Sequence, residues 1–137
     1  MKTAIYPGSF NPWHKGHEDI LEKALKIFDK VYVAKGINNS KNSSMTTLSK
    51  FIKEGIEWWS FSSLLVDFVI DLEKMKNHKI DAVIRGLRNG MDLQYEMNLQ
   101  YNNEDLGLKI PVVYFITDRN LSHISSSAIR EIERFKK

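Results

Sequence analysis

Two histidines lie three positions apart near the N-terminus, with a glycine between them. Gly8, His14 and His17 cluster behind the first apolar run of the chain, and Gly16 separates the imidazoles. Imidazole N–H groups beside a glycine turn are good donors to phosphate oxygens, so the cluster predicts a phosphate site at the first strand-to-helix turn. Gly16 would leave room for a ligand near the backbone. The alternatives are an ordinary helix-capping turn and a metal site, although the absence of cysteine disfavours zinc.

Three consecutive serines, Ser125, Ser126 and Ser127, precede the apolar pattern of the last helix. A helix needs only one serine as its N-cap. None of the three is followed by Glu or Gln three residues later, so a capping box does not explain the run. Hydroxyls and free backbone N–H groups at a helix N-terminus can hold phosphate oxygens. The run therefore favours a phosphate cradle over capping alone.

Arg85 and Arg88 flank Gly86 directly after a buried apolar run. A single arginine there would be an ordinary surface charge, whereas two arginines around a glycine favour phosphate binding. Lys41 lies in a polar loop and by itself indicates only a solvated side chain. No carboxylate pair accompanies these groups in the sequence. The set suits the positioning of phosphates and not acid–base catalysis by carboxylates.

Alternating strands and helices must position these side chains. β-branched and aromatic runs predict strands at 3–6, 31–34, 56–61, 81–84 and 112–116, with Pro7 and Gly8 ending the first. Helical spacing of apolar residues predicts helices at 18–30, 48–54, 64–75, 93–102 and 125–135, and residues 38–47 form a polar loop. The alternation predicts an α/β fold with a doubly wound parallel sheet. Ligands bind beyond the carboxyl ends of such strands, where the candidate residues fall.

Length and composition set the class of protein. The 137 residues suit a single domain over 1–137, and the 42% hydrophobic and 27% charged fractions are normal for a soluble globular chain. The net charge of +3 is spread along the chain, without the basic and aromatic surface that nucleic-acid binding needs. No apolar stretch approaches the ~20 residues of a membrane span, and no signal-peptide pattern begins the chain. We therefore expect a cytoplasmic protein.

The motifs together resemble the phosphopantetheine adenylyltransferases, which are nucleotidyltransferases of coenzyme A biosynthesis. The matching segments occur in the family's order: residues 6–17 (YPGSFNPWHKGH), 40–41 (SK), 64–68 (LLVDF), 84–88 (IRGLR), 92–97 (DLQYEM) and 124–130 (ISSSAIR). The first and last are shared across the nucleotidyltransferase superfamily, and the segments at 84–88 and 92–97 are specific to the family. The resemblance implies a Rossmann-like nucleotidyltransferase fold and transfer of the adenylyl group of ATP to 4′-phosphopantetheine, which gives dephospho-coenzyme A and pyrophosphate.

The resemblance also implies residue roles. The catalytic residues would be His17, which contacts the α-phosphate, together with Lys41 and Arg88. Phosphopantetheine would be held by Ser9, Lys41, Leu65 and Arg85. ATP would be held by Ser9, Phe10, His17, Gly86, Leu87, Arg88, Glu96, Leu121, Ser122, His123, Ile124, Ser125, Ser126 and Ser127, with Glu96 facing the adenosine. No side chain would ligate a metal, because Mg²⁺ is expected to arrive on the ATP phosphates.

The sequence departs from the family's pattern at several places. His14 stands where the family usually has threonine, which leans toward nicotinate-mononucleotide adenylyltransferases, and Asn11 replaces a common aspartate. The chain is shorter than the family pattern between residues 47 and 61, longer between 71 and 81, and ends soon after the serine helix. Family members form hexamers, so the resemblance implies a homo-oligomer.

The sequence leaves three other functions as alternatives. The nearest is a nicotinate-mononucleotide adenylyltransferase or a cytidylyltransferase acting on another small phosphate. A non-catalytic nucleotide-binding module would keep the same pocket but turn over no acceptor. A nucleic-acid-binding protein would need a basic, aromatic surface that the sequence lacks.

Overall fold

The computed structural model describes residues 1–37 and 53–135. Within these ranges the strands are β1 (Thr3–Gly8), β2 (Lys30–Gly36), β3 (Ile56–Phe61), β4 (Ala82–Leu87) and β5 (Val112–Ile116). The helices are α1 (Lys15–Leu25), α2 (Leu65–Lys76), α3 (Gly90–Asp105) and α4 (Ser126–Phe135), and a 3₁₀ turn spans Arg119–Leu121. No helix in the described ranges is long and apolar enough to cross a membrane.

All strands of the described sheet run parallel, in the order β3-β2-β1-β4-β5. The chain winds from β1 outward to β3, then returns to place β4 on the other side of β1. The predicted α/β class with a doubly wound parallel sheet is confirmed. The reversal between β1 and β4 matters for function, because ligands of open parallel sheets bind in the crevice beyond the strand ends at such a point.

Apolar side chains pack on both faces of the sheet. The α1 face buries Ala4, Tyr6, Phe10, Ile20, Leu21, Val31, Val33 and Ile84, and the α2 face buries Ile5, Tyr32, Ala34, Phe68, Val69, Leu72 and Val83. Trp58 packs against the α1 face and Trp59 against the α2 face. Adjacent strand residues point to opposite faces, so both tryptophans of β3 can join the core.

β1, β2 and β4 are longer than the sequence predicts, and the differences in β1 and β4 bear on the site. Pro7 and Gly8 do not end β1 but continue it, in register with Ala34 and Lys35 of β2. β4 begins at Ala82 and runs three residues past its predicted end, so the 85–87 segment pairs with β5 and does not form a loop. Pairing with a neighbouring strand therefore overrides the local breaker signals.

Helix boundaries also differ from the predictions. α1 begins and ends earlier than predicted, because His14 caps its N-terminus and the chain turns after Leu25 to bury Phe28. α3 begins three residues earlier, where the Asn89 side chain accepts a hydrogen bond from the backbone N–H of Asp92 at 3.0 Å. The predicted loop at 38–47 and most of the predicted helix at 48–54 lie outside the described residues.

Candidate active site

A cavity of about 490 Å³ lies beyond the carboxyl ends of β1 and β4. It brings together residues from the β1–α1 turn, β4, α3 and the start of α4, as the strand-end rule predicts. The candidate residues in its wall are Gly8, Ser9, Phe10, His14, His17, Arg85, Gly86, Arg88, Glu96, Ile124, Ser125, Ser126 and Ser127. Lys41 lies outside the described residues.

Four predicted ATP contacts have no place in the described wall of this cavity: Leu87, Leu121, Ser122 and His123. Leu87 ends β4 and pairs with Ile116 of β5. Leu121 closes the 3₁₀ turn, and the Ser122 hydroxyl donates to the carbonyl oxygen of Arg119 at 2.9 Å. The turn carries the chain from β5 toward α4, so the part of the predicted stretch 121–127 that lines the cavity begins at Ile124.

Backbone hydrogen bonds fix the protonated nitrogen of both histidines. The Nδ1 atom of His14 accepts from the backbone N–H of Gly16 at 3.1 Å, and the Nδ1 atom of His17 accepts from the backbone N–H of His14 at 3.2 Å. A nitrogen that accepts a hydrogen bond carries no proton, so each neutral ring bears its proton on Nε2. Both rings line the cavity and thus bring an Nε2–H donor to its wall.

The same bonds form a capping box at the start of α1. The helix-capping interpretation is therefore correct for His14, although it does not exclude a role at the cavity. Gly16 lines the cavity, as the sequence predicts. It also makes room for the histidine ring, because a Cβ atom there would lie 2.9 Å from Cε1 of His14.

Aromatic packing surrounds His17. Its ring stacks on His14, with 3.7 Å between ring centroids, and on Trp13, with 5.1 Å between centroids, and the edge of Phe10 approaches at 4.9 Å. Burial and the proximity of His14 hold the pKa of His17 far below its usual range. Burial and the charge of Arg88 lower the pKa of His14 to about 4. Both imidazoles are neutral near pH 7, as the hydrogen bonds require.

Arg85 and Arg88 are each bound to a carboxylate of α3. Arg85 donates through Nε and Nη2 to the two carboxylate oxygens of Glu96, at 2.8 and 2.7 Å, and through Nη1 to the carbonyl oxygen of Pro7 at 2.5 Å. Arg88 donates through Nε and Nη2 to Asp92, at 3.0 and 3.2 Å. The sequence-based expectation that no carboxylate pair joins the basic groups is therefore wrong.

The charges of these pairs are mutually stabilised. Although burial opposes the charge of Arg85, the hydrogen bonds of Glu96 raise the pKa of the guanidinium further. Partial burial likewise opposes the charge of Asp92, and hydrogen bonds from Arg88 lower the pKa of that carboxyl group. Glu96 is 6% exposed and orients Arg85. Its predicted contact with adenosine stays a prediction.

The three serine hydroxyls have partners within the protein. Ser125 is an N-cap, since its Oγ accepts from the backbone N–H of Ala128 at 3.0 Å. The Ser126 hydroxyl donates to the carbonyl oxygen of Pro12 at 2.9 Å, and the Ser127 Oγ accepts from Arg130 at 3.2 Å. The serine run thus docks α4 onto the β1–α1 turn and also lines the cavity. Ser125 caps the helix, and the phosphate cradle stays a prediction.

A second cavity of about 300 Å³ adjoins the first and is more apolar. Its wall includes Leu65, as predicted, together with Phe61, Leu99, Leu108 and Val112. Five residues line both cavities: Gly8, Ser9, Arg85, Tyr95 and Glu96. The Arg85–Glu96 pair therefore lies where a polar space meets an apolar one.

Sequence reasoning missed five residues of the first cavity: Tyr6, Asp92, Tyr95, Thr117 and Arg130. Thr117 follows β5 directly, so the strand-end rule could have found it. Asp92 stands four positions after Arg88, a spacing typical of ion pairs on helices. Arg130 donates through Nη1 to the carbonyl oxygen of Asn11, a contact across 119 positions that no local pattern indicates. Tyr6 and Tyr95 belong to the segments 6–17 and 92–97 that carry the family resemblance, but neither was assigned a role at the site.

Solved structures confirm the fold. A Vibrio parahaemolyticus protein assigned as a nicotinate-nucleotide adenylyltransferase superposes with a TM-score of 0.74 at 19% identity, covering 100% of this chain and 83% of that chain. The pantoate-beta-alanine ligase of Francisella tularensis gives a TM-score of 0.56 at 14% identity, covering 94% of this chain and 65% of the other. At these identities the likeness shows a shared fold alone.

Curated relatives are more similar to this chain in sequence than those solved structures are. The cytidylyltransferase-like family model matches residues 5–132. A phosphopantetheine adenylyltransferase of Mycoplasma mycoides subsp. mycoides SC is 42% identical over 100% of both chains. One from Clostridium perfringens is 37% identical over 98% of this chain and 84% of its own length. The chain therefore belongs to the cytidylyltransferase-like family and, within it, to the phosphopantetheine adenylyltransferases.

Proposed function

We propose that the protein transfers the adenylyl group of ATP to 4′-phosphopantetheine and releases pyrophosphate. The observation that carries this proposal is the pair of adjoining cavities that share Arg85. The first cavity offers imidazole and guanidinium donors for the nucleotide phosphates, and the second offers an apolar groove for the arm of the acceptor. The names of full-length relatives at 37–42% identity support the same activity.

The reaction needs no general base. A phosphate oxygen of the acceptor forms a bond to the α-phosphorus of ATP, while the bond from that phosphorus to the bridging oxygen breaks and pyrophosphate leaves with the electron pair. The attacking oxygen already carries negative charge near pH 7. Catalysis then rests on holding the two phosphates in line and stabilising their combined charge.

The histidine pair suits the stabilisation of the negative charge on the phosphates. His17 presents its Nε2–H at the cavity wall without a positive charge, since its Nδ1 is occupied by the backbone N–H of His14. A fixed neutral donor costs little reorganisation when negative charge grows on the α-phosphate oxygens. His14, held in the same tautomer, lies beside it and can donate to a neighbouring phosphate oxygen.

Arg85 and Arg88 suit the task of holding the two phosphates in line. The bonds from Arg85 to Glu96 and Pro7 engage only part of its guanidinium N–H donors, so others can bind the acceptor phosphate. Arg88, held by Asp92 at the start of α3, faces the space for the ATP phosphates. In the proposal the carboxylates orient the arginines and do not take part in proton transfer.

Magnesium enters the proposal through the nucleotide. Among the described residues no group of three or more His, Cys, Asp or Glu side chains could hold a metal ion. Asp92 and Glu96, the carboxylates of the cavity wall, are both bound to arginines. This set of donors fits an ion that arrives on the phosphate oxygens, where it would neutralise part of their charge.

A homo-oligomer and a cytoplasmic location complete the proposal. α3 buries only Glu96 among its described residues, while Met91 is 84% exposed and Tyr101 53% exposed. Apolar surface of this extent is typical of subunit contacts. The location follows from the cytoplasmic supply of ATP. Light scattering on a sizing column should report an oligomer, a hexamer by resemblance, and a monomer at micromolar concentration would contradict this part.

The activity is tested with a panel of acceptors. 4′-Phosphopantetheine, nicotinate mononucleotide and glycerol phosphate are each incubated with ATP and with CTP, and pyrophosphate release is measured. Release with phosphopantetheine and ATP is expected. His14 in place of threonine favours nicotinate mononucleotide as the second candidate acceptor, and release with that acceptor alone would overturn the proposal. ATP binding without turnover of any acceptor would indicate a non-catalytic module.

A further inference from the structure

A lysine on α1 holds the chain where it leaves β5. The ammonium group of Lys23 donates to Asp19 Oδ2 at 2.9 Å, to Asp118 Oδ1 at 2.8 Å and to the carbonyl oxygen of Ile116 at 2.7 Å. Although partial burial opposes the charge of Lys23, its hydrogen bonds to Asp118 and Asp19 raise the pKa of the amine. One cation thus joins a helix to a segment more than ninety positions away.

Asp19 strengthens the same connection. Its Oδ2 atom accepts from the backbone N–H of Asp118 at 3.0 Å as well as from Lys23. Residues 116 and 118 are therefore both fastened to α1, and Thr117 lies between them. Thr117 is 8% exposed, donates its backbone N–H to the carbonyl oxygen of Leu87 at 2.8 Å, and lines the nucleotide cavity.

Both fastened segments contribute residues to the cavity wall. Asp19 follows His17 by two residues on α1, while residues 117–127 continue from β5 to the serines. The far end of that segment is tied to the β1–α1 turn by the bond from Ser126 to Pro12. Lys23 and Asp19 supply the tie at the near end.

We infer that Lys23 and Asp19 are positioning residues that set the distance between His17 and segment 117–127, in which Thr117 and residues 124–127 line the nucleotide cavity. This inference rests on the proposed function. Lys23, Asp19 and Asp118 line neither cavity, but the tie holds Thr117, which lines the cavity assigned to ATP and not the apolar cavity assigned to the acceptor. Its loss should therefore affect the two substrates unequally.

The test compares Lys23→Met with a matched control, Lys30→Met. Lys30 forms an equally short ion pair, at 2.7 Å with Glu57, and its side chain is 30% exposed against 27% for Lys23. That pair lies at the opposite end of the sheet. Lys23→Met is expected to raise the KM for ATP about tenfold, with little change in the KM for the acceptor, whereas Lys30→Met should change neither. Lys23→Arg should restore most of the ATP affinity.

A second measurement is independent of turnover. Hydrogen exchange at the backbone amide of Asp118 should become faster in Lys23→Met and in Asp19→Asn, and should stay slow in Lys30→Met. Equal rises in both KM values, or equal effects of Lys23→Met and Lys30→Met, would overturn the inference, as would an unchanged exchange rate at Asp118. Wild-type protein that turns over no acceptor would instead refute the proposed function, while the exchange result would still report on the tie.

Discussion

The two walls of the first cavity are held together by different forces. In the packed wall, Phe10, His14 and His17 line the cavity, Trp13 and Ile20 pack behind them, and contacts between rings and core side chains hold the group together. The paired wall, formed by Arg85, Arg88, Asp92 and Glu96, is held by ion pairs between β4 and α3. α3 buries a single described residue, whereas α1 buries four. The packed wall should respond to changes of volume, and the paired wall to changes of charge.

The largest expected effect lies in the paired wall. Glu96→Ala leaves the guanidinium of Arg85, which is 21% exposed, without its charge partner, and should lower the free energy of unfolding by about 3 kcal/mol. Asp92→Ala breaks the more exposed pair one turn earlier and should cost only about 0.5 kcal/mol. Urea unfolding of both variants measures the difference. Equal losses would mean that burial does not distinguish the two pairs.

The packed wall carries the largest expected effect on turnover. His17→Ala removes the fixed Nε2–H donor and should lower kcat by about 10²- to 10³-fold. ATP binding, measured by calorimetry, should weaken much less, because the donor matters most when charge develops at the transition state. Lys15→Ala, an exposed neighbour in the same turn, is the control and should keep its turnover. Equal losses in kcat and in ATP affinity would make His17 a ground-state ligand.

Substitutions at two glycines compare the packed wall with the paired wall through a change of side-chain volume alone. A Cβ at Gly86 would lie 2.8 Å from Cγ1 of Ile20, whereas a Cβ at Gly90 would meet nothing within 4 Å. Gly86→Ala should therefore lower the free energy of unfolding by about 1–3 kcal/mol. Gly90→Ala should be neutral or stabilising, since alanine favours the helix. Denaturation midpoints of the two variants decide the matter, and a Gly86→Ala protein as stable as Gly90→Ala would show that Ile20 can move aside.

Much of the site follows from the sequence because parallel strands end at one edge of the sheet. The residues at and beyond the carboxyl ends of β1, β4 and β5 converge there whatever the details of each turn, so the strand pattern alone predicts that Gly8, Arg85 and Ser125 line one site. The pattern could not reveal which of these groups bind each other. Arg85 and Glu96 are eleven positions apart, on a strand and a helix, and only their relative placement in the fold shows the pair.

The predicted strand boundaries were wrong for a related physical reason. Pro7 and Gly8 are local breakers, yet pairing with Ala34 and Lys35 keeps them in β1. The histidine pair shows a second limit of prediction from sequence. Its three-residue spacing is ambiguous between capping and ligand binding, and the structure uses the Nδ1 atoms for the first while the rings line the cavity. A sequence cannot indicate that one residue serves both purposes through different atoms.

The smallest expected effect is a pH dependence that belongs to the packed wall. Burial and the charge of Arg88 lower the pKa of His14 from 6.5 to about 4, so between these values the unfolded chain binds a proton that the folded chain does not. The free energy of unfolding should then be fully retained above about pH 6.5 and should decrease as the pH falls toward 4. Asparagine at position 14 can cap the helix without titrating. The urea midpoint of His14→Asn should therefore change less with pH across this range than that of the parent protein. The pH dependence that remains is owed in part to His17. An identical pH dependence in both proteins would place the acid sensitivity outside His14.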